Sequence, residues 1–282
     1  MTYHMSRVIH WMQNRSVAHY PTYIVRQVDT PPLAGFIITH LQILSGSDRF
    51  ANLVQWFSML GSLVAVSLVA KKLGANLYGQ LISAFVCLTI PMGLLQASST
   101  QNDYVVSFWL ACFIYYTITF LSNLSNKISK NPSKVFNLGA SLGLAILTKA
   151  TAYIYAFPFF VWLSISIFRE KNLRLLKKLI IVGLITISIN IFHWYRNFII
   201  WGTPLGVSGN ITKNELFTLS AILSNCIRNI SLHLITVNQH LNKLLETLII
   251  LVHDNLLDIN ISDSRTTFAN MNFIVPPVPN NI

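Results

Sequence analysis

The chain has 282 residues, 53% of them hydrophobic and only 10% charged, where an ordinary soluble domain has about a quarter charged; with a mean hydropathy of +0.54, these values exclude a soluble globular protein. The net charge of +11 would suit nucleic acid, but half of the twenty basic residues sit in three short connections between apolar stretches: Lys71 and Lys72; Lys127, Lys130 and Lys134; Arg169, Lys171, Arg174, Lys177 and Lys178. That placement is the positive-inside pattern of a membrane protein rather than the single basic face of a nucleic-acid binder, so nucleic acid is excluded as a partner.

In chain order, residues 1–50 come first, polar and rich in aromatics. They run from Tyr3, His4, Arg7, His10 and Trp11 through Tyr20-Pro21-Thr22 to Arg26, Asp29 and Pro31-Pro32-Leu33. Six apolar stretches follow, expected as membrane spans at 51–70, 77–95, 104–122, 135–148, 150–168 and 179–199. About 20 apolar residues are needed to cross about 30 Å of hydrocarbon as a helix. The fourth stretch is short and Lys149 separates it from the fifth, which predicts a tight helical hairpin at the outer surface. If the basic connections are cytoplasmic, the outer side holds residues 1–50, the run 96–103, the turn at Lys149 and everything after about Trp201. No signal peptide or earlier span precedes residues 1–50 to carry them outward; the expectation is that relatives have a first transmembrane helix that this chain lacks.

Beyond 200, Ile222, Leu223, Cys226, Ile227, Ile230 and Leu234 recur at three- and four-residue steps, and so do Val237, Leu241, Leu244, Leu245, Leu248, Ile249 and Val252. Two amphipathic helices are predicted, packing on the bundle or lying at the membrane surface. The chain closes on an extended Pro-rich stretch, 275–282. The fold class is therefore all-α: a polytopic helical bundle over 51–199, an outer segment at 1–50 and an outer amphipathic segment at 200–282. Cys87, Cys112 and Cys226 form no framework, and the eight histidines have no metal-ligand spacing, so no metal site is assigned.

Between residues 50 and 200 the only acids are Asp103 and Glu170, and Glu170 lies among basic residues. Asp103 ends the polar run Gln96-Ala97-Ser98-Ser99-Thr100-Gln101-Asn102-Asp103 just ahead of a span. An ionisable group there needs water, a partner or a substrate. Either Asn102 or Asp103 caps the next helix, or Asp103 caps it and also serves a site. Lys149 breaks the positive-inside pattern; it either snorkels to the interface or meets an anion, whether a lipid phosphate or a carboxylate such as Asp103. Arg196, in Trp194-Tyr195-Arg196-Asn197, is an interface anchor or a phosphate fork. The sequence has no P-loop, dinucleotide fingerprint or nucleophile elbow.

Tyr3-His4…Arg7, Pro31-Pro32-Leu33, Ser45-Gly46-Ser47-Asp48-Arg49-Phe50-Ala51-Asn52, the run 96–103, Leu147-Thr148-Lys149 and Arg196-Asn197…Gly202-Thr203-Pro204-Leu205-Gly206 together resemble the dolichyl-phosphate-mannose mannosyltransferase-like membrane glycosyltransferases of the GT-C fold. The resemblance implies an enzyme of the bacterial inner membrane. It would move a sugar from a polyprenyl-phosphate donor to a glycan, lipid or protein acceptor at the outer face, with membrane lipid as surroundings and a divalent cation as the one conceivable cofactor. Asp103 matches the second of the family's two acidic positions and is the candidate catalytic residue; Arg7, His4, Tyr3, Lys149 and Arg196 are the candidate substrate ligands. In relatives the first acid stands ahead of the Thr-Tyr-His stretch, which would put it before Met1, and the residue after Pro-Pro-Leu-Ala is often acidic where this chain has Gly35. The rival readings are a shortened, inactive remnant or accessory subunit, and a transporter or flippase. A transporter would need polar residues through the bilayer midplane.

Overall fold

The computed structural model describes residues 4–125, 132–207, 215–236, 238–266 and 273, and among these every regular element is helical. Hydrocarbon offers no partner to backbone amides, so an apolar run must satisfy its own, and a helix does so within one segment. The elements are α1 (His4–Gln13), α2 (Arg26–Asp29), α3 (Leu33–Ser45), α4 (Leu53–Lys72), α5 (Leu77–Leu88), α6 (Pro91–Ala97), α7 (Asp103–Ser125), α8 (Pro132–Thr148), α9 (Thr151–Arg169), α10 (Leu173–Trp201), α11 (Leu219–Leu232) and α12 (Gln239–Val252).

The chain is an integral membrane protein. Each expected span corresponds to helix, but the count of six is corrected. Among the described residues four helices, α4, α7, α9 and α10, are long and apolar enough to cross a membrane, and α5 with α6 adds a fifth if that bent pair is one span. The expected span at 77–95 is broken ahead of Pro91, whose ring cannot continue a helix without losing a hydrogen bond. α8 has 17 residues, roughly 25 Å of helix, and falls short of the others.

Two compact units divide the chain: Met1–Leu88 with Gln96–Ser208, and Thr89–Leu95 with Gly209–Ile282. In the first, α7 packs on α4, α8 and α9, and α8 packs on α10. Phe113, Leu138, Ala145 and Leu163 are fully buried at its core. Between α8 and α10 the backbones approach closely because Gly139 and Gly143 lack side chains. A Cβ on Gly139 would lie 3.0 Å from the Val182 carbonyl, and one on Gly143 would lie 2.8 Å from Ile189 Cδ1. Across this seam Thr186 donates to the Gly139 carbonyl (3.2 Å) and Asn190 to that of Gly143 (3.0 Å). Small residues and amide bonds of this kind join helices where lipid removes the hydrophobic drive between them. A second core, built from Met5, Val8, Ala34, Ile38, Ala51, Val54 and Val105, binds α1 and α3 to the starts of α4 and α7.

One end of this unit gathers the starts of α4, α7 and α9 and the ends of α8 and α10, as shown by bonds from Gln55 to α7, from Asn102 to Thr148 and from Trp194 to Tyr153. The basic residues Lys71, Lys72, Lys134, Arg169, Arg174, Lys177 and Lys178 occupy the opposite helix ends. There Lys178 lies over the Phe120 ring.

In the second unit, α11 and α12 form where periodicity predicted helices, started by Thr218 and Asn238 side chains that accept backbone N–H bonds. On α11 the covered face is the opposite of the apolar one. α11 buries Ala221, Ser224, Arg228 and Ser231 while Ile222, Leu223 and Ile230 are exposed. Arg228 is held by the Ile261 and Thr266 carbonyls, and His253 meets Ser224 at 2.9 Å.

Candidate functional site

Asp103 is the first residue of α7 and Lys149 follows the last residue of α8. The chain reverses through Lys149 and Ala150 before α9 begins at Thr151, which is the expected hairpin. Lys149 Nζ donates to Asp103 Oδ1 at 2.5 Å, with both side chains about one-third exposed. Asp103 Oδ2 has no partner among the described residues. Of the two readings of Lys149, the structure supplies the carboxylate contact.

The capping role expected of Asn102 or Asp103 belongs to another residue. The free amides of Tyr104 and Val105 donate to Gln55 Oε1, at 2.9 and 3.2 Å, from the first turn of α4. Asn102 instead sends Nδ2 to the Thr148 carbonyl at 2.8 Å, tying the start of α7 to the end of α8. Within the polar run, Ser99 donates to the Gln96 carbonyl through both N and Oγ, and Gln55 Nε2 reaches the same oxygen at 3.3 Å.

His4, in the first turn of α1, lies in the electrostatic range of Arg7, Lys149 and Asp103. Burial, reinforced by the charges of Arg7 and Lys149, lowers its pKa to about 3, so it is a neutral imidazole at physiological pH. Arg7 is only 1% exposed. Its Nη1 donates to the carbonyl (2.8 Å) and hydroxyl (3.2 Å) of Thr30, its Nη2 to the Pro31 carbonyl (3.4 Å), and it lies 5.1 Å from the Trp11 ring centre. Gly35 makes room for it, because a Cβ there would stand 3.3 Å from Arg7 Nη2 and 3.1 Å from Trp11. Gly35, which the resemblance sets at a position expected to be acidic, is thus beside this guanidinium. Tyr3 lies outside the described residues.

Arg196 is engaged elsewhere: its Nη2 contacts the Val17 carbonyl and His19 Nδ1, each at 2.6 Å. A guanidinium can only donate, so His19 accepts through Nδ1 and carries its proton on Nε2. Burial first, then Arg196, lowers the His19 pKa. Close by, Asn197 donates to the carbonyls of Asp29 (2.9 Å) and Pro204 (3.2 Å). Asp29 Oδ2 accepts from Val207 N at 3.0 Å, against the bare Cα of Gly206, whose φ is +76°. These bonds lay the 202–207 loop over α2.

Asp103 and Lys149 are therefore brought into contact, with His4 in the electrostatic range of both and of Arg7, while the guanidinium of Arg196 is committed to the 17–19 segment. Gln55 and Asn102 were not anticipated as site residues. An uncharged amide in the first turn of an apolar helix was the available signal for Gln55. Among the described residues no group of three or more His, Cys, Asp or Glu could hold a metal ion. A family model described as Dolichyl-phosphate-mannose-protein mannosyltransferase matches residues 29–195, more than half of the chain; that range includes Asp103 and Lys149 and omits His4, Arg7 and Arg196. No curated protein and no solved structure gives a match.

Proposed function

The chain belongs to the dolichyl-phosphate-mannose-protein mannosyltransferase family, and we propose that it transfers a sugar from a polyprenyl-phosphate donor to an acceptor hydroxyl at the face carrying Asp103 and Lys149. The family makes it a membrane glycosyltransferase. The observation that carries the finer reading is the partly exposed ion pair at 2.5 Å between Lys149 and Asp103. It stands opposite the lysine-rich helix ends, and the positive-inside rule supports reading this face as the outer one.

The pair supplies two complementary charges where a lipid head and a soluble acceptor meet. A donor phosphate competes with Asp103 for Lys149. As the bond between the anomeric carbon and the phosphate oxygen breaks, the growing negative charge on phosphate is stabilised by the ammonium and by the nearby Arg7. The freed carboxylate accepts the hydrogen bond of the acceptor hydroxyl, orients its oxygen toward the anomeric carbon and receives its proton. His4, being neutral, adds no competing charge. Arg7 acts through its field, since its Nη1 and Nη2 already donate to the Thr30 and Pro31 carbonyls.

Transfer from a radiolabelled polyprenyl-phosphate sugar, by the chain reconstituted in liposomes, tests the reading. Asp103→Asn should lower the rate by about a hundred- to ten-thousand-fold, the usual worth of a positioned base, with membrane insertion unchanged. Undiminished transfer by that variant would refute the assignment.

A further inference from the structure

We propose that Gln55 is a positioning residue for the Asp103–Lys149 pair, and that it acts by taking over the helix cap that Asn102 or Asp103 would otherwise provide. The inference rests on the reading of that pair as the reaction site, and it deepens that reading by naming what holds the carboxylate in place.

A helix begins with amide N–H groups that have no partner within it. An Asp at the start of a helix is well suited to satisfy them, because its short side chain folds back onto the first turn. A carboxylate used that way is turned into its own helix and is not presented to a neighbour. In this chain the two roles are separated. Gln55 is 0% exposed, and its Oε1 accepts from both Tyr104 N and Val105 N. The amides next to Asp103 are thus already satisfied, and its Oδ1 is turned to Lys149. The other end of the Gln55 amide donates to the Gln96 carbonyl. One side chain therefore fixes both ends of the polar run that leads into α7. On the far side, Asn102 holds Thr148, the residue before Lys149. The amide orientation of Gln55 follows from chemistry: only an oxygen can receive two N–H groups, and only the NH2 can donate to a carbonyl.

Removal of the Gln55 acceptor leaves two buried amides unsatisfied, a state costly enough to recruit the nearest acceptor. The acceptors at the head of α7 are Asn102 Oδ1, which is buried and has no hydrogen-bond partner among the described residues, and the Asp103 carboxylate. Recruiting the first breaks the Asn102–Thr148 tie beside Lys149, and recruiting the second swings Asp103 from Lys149 onto the first turn of α7. The consequence is visible without any assay of transfer. A water-soluble carbodiimide condenses a carboxylate with an amine in contact, forming an amide as it takes up water to become a urea. It should join Asp103 to Lys149 in the native chain, and the cross-linked peptides are quantified by mass spectrometry.

In Gln55→Leu the yield should fall roughly fivefold, the equilibrium equivalent of one lost cap. Gln55→Glu keeps an oxygen acceptor for both amides and should restore the yield, which a merely volume-filling role would not require. An undiminished cross-link in Gln55→Leu, or a loss equal in both variants, overturns the proposal. Transfer measured in parallel bears on the site itself: a lost cross-link with unchanged transfer would keep Gln55 as the positioner while removing Asp103 from the chemistry.

Discussion

Acidification should weaken the packing of α1 through His4, and the effect can be isolated by His4→Gln. The imidazole is buried beside Arg7 and Lys149, and its pKa lies at about 3 in the fold against 6.5 when exposed. Between these values the unfolded chain binds the proton and the folded one does not, so stability falls as pH falls through 6.5 and continues to fall until about pH 3. At pH 5 the accumulated loss from this one group is about 2 kcal/mol, at about 1.4 kcal/mol per pH unit. His19, also lowered by burial, contributes with the same sign, so the informative quantity is the difference between native chain and variant. Thermal unfolding in detergent at pH 7.5 and pH 5 provides it. His4→Gln, which cannot titrate, should lose less stability on acidification by about 2 kcal/mol. Equal acid sensitivity in both chains would refute the buried, neutral assignment of His4.

Further outcomes follow from the same geometry. Gly139→Val places a side chain 3.0 Å from the Val182 carbonyl and should cost about 1–3 kcal/mol by overpacking, whereas Gly183→Val, with open space around it, should stay within about 0.5 kcal/mol; SDS-induced unfolding compares them. Gly206→Ala combines a φ of +76° with a Cβ 2.7 Å from Asp29 Oδ2; a loss of about 1–3 kcal/mol is expected, together with faster proteolysis of the 202–207 loop. In a chain whose native cysteines are replaced, Asp103→Cys should react with an impermeant maleimide from one side of sealed vesicles and Lys171→Cys only from the other; labelling of both from the same side would remove the topology.

Helix existence was legible because long apolar runs leave few alternatives, and the Lys149 hairpin was legible because a charge interrupted such a run. Membrane crossing was less so. The break before Pro91 and the 17-residue length of α8 reduce six apolar stretches to four helices of full length, or five with the bent pair. Periodicity also identified α11 as two-faced without revealing which face is covered, since the same stripe can meet a core or point away from it. At the site, the meeting of Asp103 with Lys149 was one of several readings left open by sequence. The Gln55 cap was beyond reach, because positions 55 and 104 are neighbours only after α4 and α7 pack.

The chemistry of the buried polar groups separates those that build the protein from those that equip its face. Within the bundle, several interhelical polar bonds run from neutral side chains to backbone oxygens: Thr186 and Asn190 on α8, Asn102 on Thr148, Gln55 on Gln96. A neutral amide loses little on leaving water if its bonds are made, whereas an ion loses several kcal/mol. Arg7 and Asp29 are buried exceptions: Arg7 sits where three oxygens of Thr30 and Pro31 converge on its donors, and Asp29 Oδ2 accepts from Val207 N. The Asp103–Lys149 pair follows neither pattern. Partly exposed, it adds at most about 1 kcal/mol to stability, too little to account for placing Asp103, which between residues 50 and 200 is the one acid away from the basic side, beside Lys149, the one lysine of that stretch that departs from it. A pair whose structural worth is that small, held by neutral clamps on both sides, fits the proposed reactive centre: a ligand could compete for its charges at little cost to the fold.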